Sequence, residues 1–228
     1  MKRFLMALLA LALVCALAGG ALAEGLEIVS ERGDGAVPEV EVSLVAANDG
    51  EDDEPEVLIP LTAAFFPDPM FCAYLSLTYD MNKDGYLDEE EVDYADAVQV
   101  DGMGVTSLQG IEQLYNLVHL SCTNNKGLTS IDVSQNQDLA FFNCTNCGLT
   151  SLNLKGMDML ETLYCSDNPL KTLDLEGCEC LTTLGGEGMP TLETLVLKNC
   201  ESLTSFDCSG TGITSLDQIG RASCRERV

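Results

Sequence analysis

The sequence is poor in histidine and in basic residues. It holds one histidine, His119, and 11 Lys and Arg residues against 37 Asp and Glu residues. Catalytic groups of the Ser-His-Asp or Cys-His kind need an imidazole beside the nucleophile, and His119 stands in no such motif. No G-x-G-x-x-G or other phosphate-binding loop is present. The formal net charge of −26 makes nucleic acids and anionic membranes poor partners, whereas a basic surface or a calcium-containing exterior would suit the chain.

The N-terminal segment lacks the length of a transmembrane helix. Its apolar run, Phe4 to Leu17, falls short of the roughly 20 apolar residues that cross a bilayer. The basic pair Lys2-Arg3 precedes the run, and Ala21-Leu22-Ala23 follows it as a small-residue cleavage site. We therefore predict a signal peptide at 1–23, a secreted or cell-surface location, and a mature chain without a transmembrane segment.

Two further segments differ in composition from the rest. Residues 24–60 are rich in Glu, Asp, Gly, Pro and Val without a sustained period, which predicts an acidic disordered linker. Residues 219–228 carry three of the eleven basic residues and abandon the pattern that precedes them. This peptide resembles the translation of a sequencing adapter, so we expect the natural chain to continue with more repeats beyond about Asp217.

One apolar pattern returns every 21 or 22 residues across 105–218. Each copy opens with what we call a leading leucine: Leu117, Leu139, Leu160, Leu181 and Leu203. The clearest copy, Leu160 to Leu175, reads L-x-x-L-x-C-x-x-N-x-L-x-x-L-x-L and consists of two similar halves. In each half the last apolar residues alternate with polar ones, which is the period of a strand with one buried face. The sequence therefore predicts two short strands per unit and units that stack around a continuous core.

This pattern resembles that of the leucine-rich repeat family, and more narrowly its bacterial short-repeat class with a nested period. The resemblance covers about half the chain and implies a mainly β, right-handed solenoid with parallel strands. Asn125 and Asn168 keep the asparagine of the pattern and are expected to bond backbone groups at turns. The fourth unit has Gly186 for the cysteine and Met189 for the asparagine, so we expect that coil to be locally irregular.

A second motif lies before the repeats, at 80–91. It reads D-M-N-K-D-G-Y-L-D-E-E-E and resembles an EF-hand calcium loop, D-x-[DN]-x-[DN]-G-x5-E, in full. Gly85 takes the place of the sharp turn. The resemblance implies Ca²⁺ as the bound ion and six ligands: side-chain oxygens of Asp80, Asn82 and Asp84, the carbonyl of Tyr86, Asp88 through a water, and a bidentate Glu91.

The residues around this loop suggest a cap for the solenoid. Both flanks, Phe71 to Tyr79 and Glu89 to Val98, fit amphipathic helices. Leu87 has no second EF-hand to pair with, so we expect the open end of the first coil, near Val105, to cover it. The segment Phe66-Pro-Asp-Pro-Met-Phe71 is similar to one that secreted bacterial leucine-rich repeat proteins carry ahead of their repeats. We therefore predict an EF-hand-like helical cap at 61–104.

Eleven cysteines in an exported chain invite a disulfide framework, but their spacing favours another role. Four occupy one repeat position and most simply replace a buried leucine: Cys122, Cys144, Cys165 and Cys208. Cys178 and Cys200 share a turn position on adjacent coils, which leaves a disulfide between them open. The C-x-x-C at Cys144 to Cys147 has no matching second pair, so neither zinc binding nor redox chemistry is predicted.

The sequence predicts a non-enzymatic binding module for an extracellular protein or glycan. A solenoid of this kind presents a regular face of variable residues, here Ser121, Thr123, Asn143, Thr145, Tyr164, Ser166 and Asp207. The alternative is the non-catalytic region of a larger, truncated extracellular enzyme. A dockerin-type adaptor is disfavoured because dockerins resemble a duplicated calcium loop and this chain has one copy.

Overall fold

A computed structural model of the chain describes residues 58–213 and the backbone of Ser215–Asp217. The predicted signal peptide at 1–23, the predicted linker up to residue 57 and the tail at 219–228 lie outside the described residues. All described residues belong to one compact unit.

The N-terminal part combines two short strands with two helices. Strand β1 (Ile59–Pro60) pairs antiparallel with β2 (Tyr86–Leu87), and Ile59 stands beside Leu87. Leu87 is fully buried. The expectation that Leu87 lacks a partner strand is therefore wrong, because the last residues of the predicted linker supply that strand.

Helix α1 (Pro69–Thr78) and helix α2 (Glu89–Asp93) flank the predicted calcium loop. Asp68 caps α1, whose first position is a proline that has no N–H to leave unbonded. Asp88 caps α2 in a capping box with Glu91. The second helix is shorter than the sequence predicted: it ends at Asp93, and the chain is already extended at Ala97.

The main sheet has six parallel strands in the spatial order β3, β4, β5, β6, β8, β10. Their bounds are β3 (Ala97–Gln99), β4 (His119–Ser121), β5 (Phe141–Asn143), β6 (Thr162–Tyr164), β8 (Thr183–Gly185) and β10 (Ser205–Asp207). Each strand lies one repeat after its neighbour, so equivalent residues stand side by side. The sheet begins one strand before the predicted start at Val105, with Val98 and Val100 buried where later coils have leucine and cysteine.

A second, three-stranded parallel sheet follows the second halves of the units. It consists of β7 (Thr172–Asp174), β9 (Thr194–Val196) and β11 (Ser215–Asp217). Two strands per unit are thus found from the third unit onward. The second unit contributes a single bridge between Asn153 and Asp174, and the helical turn Ile111–Gln113 precedes the first leading leucine.

The leucines and cysteines form the core between these sheets. All five leading leucines are buried, and the three cysteines Cys122, Cys144 and Cys165 are fully buried in the same row. Burial raises the pKa of Cys165 to about 12. The fourth cysteine of the row, Cys208, is half-buried. The prediction that this row replaces buried leucines is confirmed for its first three members.

The structure contains no disulfide among the described cysteines. The thiol of Cys178 donates to the carbonyl of Leu154 (3.2 Å), and that of Cys200 donates to the carbonyl of Leu175 (3.1 Å). Each thiol therefore bonds the backbone of the preceding coil, as an asparagine does in other coils. Burial raises the pKa of Cys178 to about 12, which keeps the thiol protonated at neutral pH.

Buried asparagines bond backbone groups, as the repeat pattern predicted, and their bonds also join neighbouring coils. The amide nitrogen of Asn125 donates to the carbonyls of Val100 (2.9 Å) and Cys122 (2.8 Å), and its oxygen accepts from the N–H of Val105 (3.0 Å). Asn168 makes the equivalent bonds two coils later, to carbonyls 24 and 3 residues earlier in the chain. Because these carbonyls are buried away from water, each asparagine satisfies groups that would otherwise be unpaired.

The fourth coil is regular, so the prediction of local irregularity is wrong. Strand β8 keeps the parallel register with both neighbours. Met189 is fully buried, and its methyl carbon lies 3.0 Å from the point where a Cβ on Gly186 would stand. The flexible thioether thus fills the space that the missing cysteine side chain leaves, and the backbone keeps its path.

Candidate functional site

The predicted calcium loop connects α1 to α2. Asp80 follows the end of α1, and Asp88 begins α2. Two residues between them have left-handed backbone: Lys83 with a φ of 62° and Gly85 with a φ of 85°. A side chain at Gly85 would be strained by that φ, although no atom lies within 4 Å of its Cβ position. The glycine therefore serves the turn itself, as the motif implies.

Two carboxylates of the loop are buried. Glu91 reaches back to the start of the loop, where its Oε1 accepts from the N–H of Met81 (2.7 Å) and of Asn82 (3.3 Å). Its Oε2 accepts from the N–H of Asp88 (3.2 Å). One oxygen of Asp80 accepts from the N–H of Gly85 (3.2 Å), while the other, Oδ1, is buried without a hydrogen-bond partner. An unpartnered buried carboxylate oxygen calls for a cation or another donor.

The remaining predicted ligands lie on the outer side of the loop. Asn82 Oδ1 accepts from the N–H of Asp84 (2.9 Å), and Asp84 Oδ1 accepts from the N–H of Tyr86 (2.8 Å). Asp88 Oδ1 is bonded to the N–H of Glu91 (2.9 Å). Across residues 58–213 the structure assembles no group of three His, Cys, Asp or Glu side chains around a metal position. Backbone N–H groups of the loop are thus bonded by the buried side chains of Asp80 and Glu91. They are also bonded by the exposed side chains of Asn82 and Asp84.

The second candidate is the exposed side of the six-stranded sheet, which we call the sheet face. The middle residue of each strand is buried or half-buried, and most first and third residues point outward. Six of the seven residues that the sequence predicted for this face are at least partly exposed. Ser121 is the exception: it is buried, and its hydroxyl donates to Asp101 (2.7 Å).

Three aromatic rings lie together on the sheet face, and we call them the aromatic cluster. His119 and Phe141 stack with centroids 4.1 Å apart and planes 4° apart. Phe141 meets the ring of Tyr164 edge to face at 6.1 Å. Tyr164 was predicted for this face from the sequence, whereas His119 and Phe141 were not. The signal for the pair was available, since His119 and Phe141 occupy the same repeat position and stand side by side in the register.

Beside the aromatic cluster is an open, polar depression of about 670 Å³. Five of the predicted residues line it: Thr123, Asn143, Thr145, Tyr164 and Ser166. Asp167 and Glu187 line it as well, and Ser209 and Gly210 line it on the next coil. The ring of Tyr164 lies against Gly185 on the next strand, where a Cβ would stand 2.6 Å from its Cδ1. Because Gly185 has no side chain, the tyrosine ring can lie over its backbone.

Asp101 lies at the N-terminal end of the sheet face and accepts hydrogen bonds from residues of the first coils. Its Oδ1 accepts from the Ser121 hydroxyl (2.7 Å) and the Thr123 N–H (2.7 Å), and its Oδ2 accepts from the Gln99 amide (3.2 Å). Burial acts to raise the pKa of Asp101, but these hydrogen bonds outweigh it and lower the pKa overall. This carboxylate is thus held in place, in contrast to the exposed Asp167 and Glu187.

Comparisons with known proteins bear on the fold. The sequence matches no family model and no curated protein. Within residues 58–213, neither helix has the length of apolar residues that spans a membrane.

Three of the solved structures that resemble this chain are internalins of Listeria monocytogenes. Internalin InlF has a TM-score of 0.58 at 19% identity, over 70% of this chain and 48% of that one. The functional domain of InlJ, described as including a cysteine ladder, has a TM-score of 0.51 at 24% identity, over 72% and 41%. Internalin C2 has a TM-score of 0.50 at 16% identity, over 71% of each chain. This chain therefore spans less than half the length of the first two. At these identities the likeness shows the fold alone: the described residues form a leucine-rich repeat solenoid like that of the internalins.

Proposed function

We propose that this chain is a secreted or cell-surface binding module that engages a protein partner through the sheet face. The observation that carries the proposal is the aromatic cluster beside an open polar depression. Exposed rings on a rigid backbone supply apolar contact area at little entropic cost, and aromatic residues dominate the binding energy of many interfaces. The stacked pair and the edge-to-face contact hold all three rings in place before a partner arrives.

The location and the class of activity are part of the same proposal. The basic, apolar and small-residue order of Met1 to Ala23 supports export. The histidine of the chain is stacked on Phe141 in the aromatic cluster, which supports a binding role over an acid–base one. A glycan is the alternative ligand. The competing function, the non-catalytic region of a larger extracellular enzyme, is decided by the reading frame of the full gene.

The protein-binding proposal is tested by selecting displayed peptides and small domains on the immobilised chain. Selected binders should lose most of their affinity for the double variant Phe141→Ala with Tyr164→Ala. They should keep it for a matched control, Glu179→Ala with Glu193→Ala, which changes two exposed residues away from the sheet face. Removing two interface aromatic side chains typically weakens binding by about 100-fold or more. Binders that treat both double variants alike would show that the sheet face is not the binding surface.

The proposal includes a structural Ca²⁺ site in the loop from Asp80 to Glu91. Its support is the unpartnered buried oxygen of Asp80, the burial of Glu91, and the hard oxygen donors that the motif sets around Gly85. Asp80, Asn82, Asp84 and Glu91 would contribute side-chain oxygens. The Tyr86 carbonyl and Asp88 complete the set that the motif implies. A bound cation would compensate the two buried carboxylates, which make no ion pair with any described residue.

Calorimetric titration of the purified chain with CaCl₂ tests this site. The dissociation constant should be about 10⁻⁴ to 10⁻³ M, the range of extracellular modules. Glu91→Gln should abolish most of the heat because it removes the bidentate carboxylate. Glu90→Gln, the exposed neighbour on α2, is the matched control and should titrate like the wild type. Equal heats for Glu91→Gln and the wild type would refute the site.

A further inference from the structure

The sheet face carries charge of one sign. Its outward segments, 97–102, 119–124, 141–146, 162–167, 183–188 and 205–210, contain no Lys or Arg. Asp167 and Glu187 are exposed and line the depression. A partner that approaches here meets carboxylates and aromatic rings, with no cation on this face to repel or displace. Charge complementarity therefore favours a basic partner.

The described region has few cations, and the ion pairs that they make lie outside the sheet face. Residues 58–213 contain five lysines and no arginine. Both ion pairs found there are made by Glu176, with Lys155 and with Lys198, outside the segments of the sheet face. Asp167 and Glu187 make no ion pair within the described region, so a partner's cation would have both carboxylates available.

The position of Tyr164 favours a guanidinium over an ammonium group as the partner's cation. It belongs to the aromatic cluster and to the depression at once, and its ring lies against Gly185, two residues before Glu187. A group bound here contacts an aromatic ring and a carboxylate together. Guanidinium does both, because it is planar, stacks on rings and forms paired hydrogen bonds with a carboxylate. An ammonium group is a more strongly hydrated point charge and stacks less well.

Resting on the proposed function, we infer that the protein partner of the sheet face presents arginine side chains, which pack on Tyr164 and pair with Asp167 and Glu187. The depression of about 670 Å³ lies within the size range of ligand pockets and has room for more than one such side chain. The chemistry also predicts that added salt weakens binding, since the pairs lie on an exposed surface.

The inference is tested by titrating the full chain with capped hexa-arginine, hexalysine and hexaglutamate peptides. Hexa-arginine should bind several-fold more tightly than hexalysine, and hexaglutamate should not bind. The double variant Asp167→Asn with Glu187→Gln should weaken hexa-arginine binding about tenfold. The matched control Glu179→Gln with Glu193→Gln removes the same charge away from the face and should bind within about twofold of the wild type.

Variants of the ring separate specific recognition from attraction by net charge. Tyr164→Ala should weaken hexa-arginine binding about threefold, the size expected for an exposed cation–π contact. Tyr164→Phe, which keeps the ring, should restore it. Equal losses in the two carboxylate double variants, or no loss in Tyr164→Ala, would overturn the inference, and so would selective binding of a neutral oligosaccharide. If selected binders depend on the aromatic cluster while hexa-arginine does not bind, the proposed function stands and the arginine inference fails.

Discussion

The carboxylate of Asp68 joins the N-terminal helices to the solenoid and offers the sharpest test of their coupling. Its Oδ1 accepts from the N–H of Met70 (2.9 Å) and Phe71 (3.1 Å), which caps α1. Its Oδ2 accepts from the N–H and the hydroxyl of Thr106 (2.7 and 2.8 Å) and from the N–H of Ser107 (3.2 Å). One buried side chain therefore bonds five donors, two in the helix and three in the first coil.

Removing that carboxylate should destabilise the fold strongly. Loss of a helix cap costs about 1 kcal/mol, and a lost hydrogen bond to a charged group costs about 1.5–3 kcal/mol. Because these losses are not additive, we expect a total of about 4 kcal/mol for Asp68→Ala. Asp68→Asn keeps an acceptor for the α1 cap but turns an NH₂ group toward Thr106, so about 3 kcal/mol should be lost.

Urea unfolding followed by circular dichroism measures these changes, with exposed Asp138→Asn as a control expected within about 0.5 kcal/mol of the wild type. Burial acts to raise the pKa of Asp68, but hydrogen bonds from Thr106, Phe71 and Met70 outweigh it and lower the pKa. A pKa below the unfolded value means that the stabilisation is complete above about pH 4 and is lost as the pH falls through the folded pKa. The gap between wild type and Asp68→Asn should therefore shrink in acid. A variant as stable as the wild type at neutral pH would refute the coupling.

Three further predictions concern the solenoid. Asn168→Ala should lower the free energy of unfolding by about 3 kcal/mol, because it leaves buried backbone groups unpaired, whereas exposed Asn153→Ala should change it little; equal effects in urea unfolding would contradict this. In the folded protein, iodoacetamide should label the exposed Cys180 long before the buried thiols of Cys122, Cys144 and Cys165. Mass spectrometry measures the four labelling rates, and equal rates would contradict the burial. If Ca²⁺ binds, chelation should raise amide exchange first in the helical cap and at 105–120, and less in Leu160–Leu175, since the side chains of the first coil donate to α2; unchanged exchange at 105–120 would contradict that coupling.

The solenoid could be predicted from the sequence because every repeat has leucines that it cannot bury alone. Leading leucines recur every 21 or 22 residues, and a short unit buries them only by stacking on its neighbours. The buried asparagines were predictable for the same reason, since a polar residue that recurs among core positions must bond backbone groups. Asn136 is an addition that the alignment missed: its amide bonds the carbonyls of Ile111 and Leu114, and its oxygen is buried without a partner.

The first strand and the partner of Leu87 were missed because they carry weaker signals. Strand β3 has Val98 and Val100 in place of leucine and cysteine, so an alignment on leucine passes over it. Strand β1 is two residues long, shorter than any period that can be recognised, and its second residue is Pro60. A proline is tolerated there because the strand lies at the edge of a two-stranded sheet. Both elements are specified by tertiary contacts with better-marked neighbours.

Only part of the aromatic cluster could be predicted from the sequence. Aligned repeats place His119 beside Phe141, so that stack could have been read from the spacing. The contact between Phe141 and Tyr164 is diagonal, and it depends on where the tyrosine ring can lie. The ring occupies the space above Gly185, a position at which other strands carry polar side chains. A Cβ at Gly185 would stand 2.6 Å from the ring, so a methyl group one coil away would displace the tyrosine. The variant Gly185→Ala therefore alters the sheet face without changing any aromatic residue, and the shape of this candidate site is a property of neighbouring coils taken together.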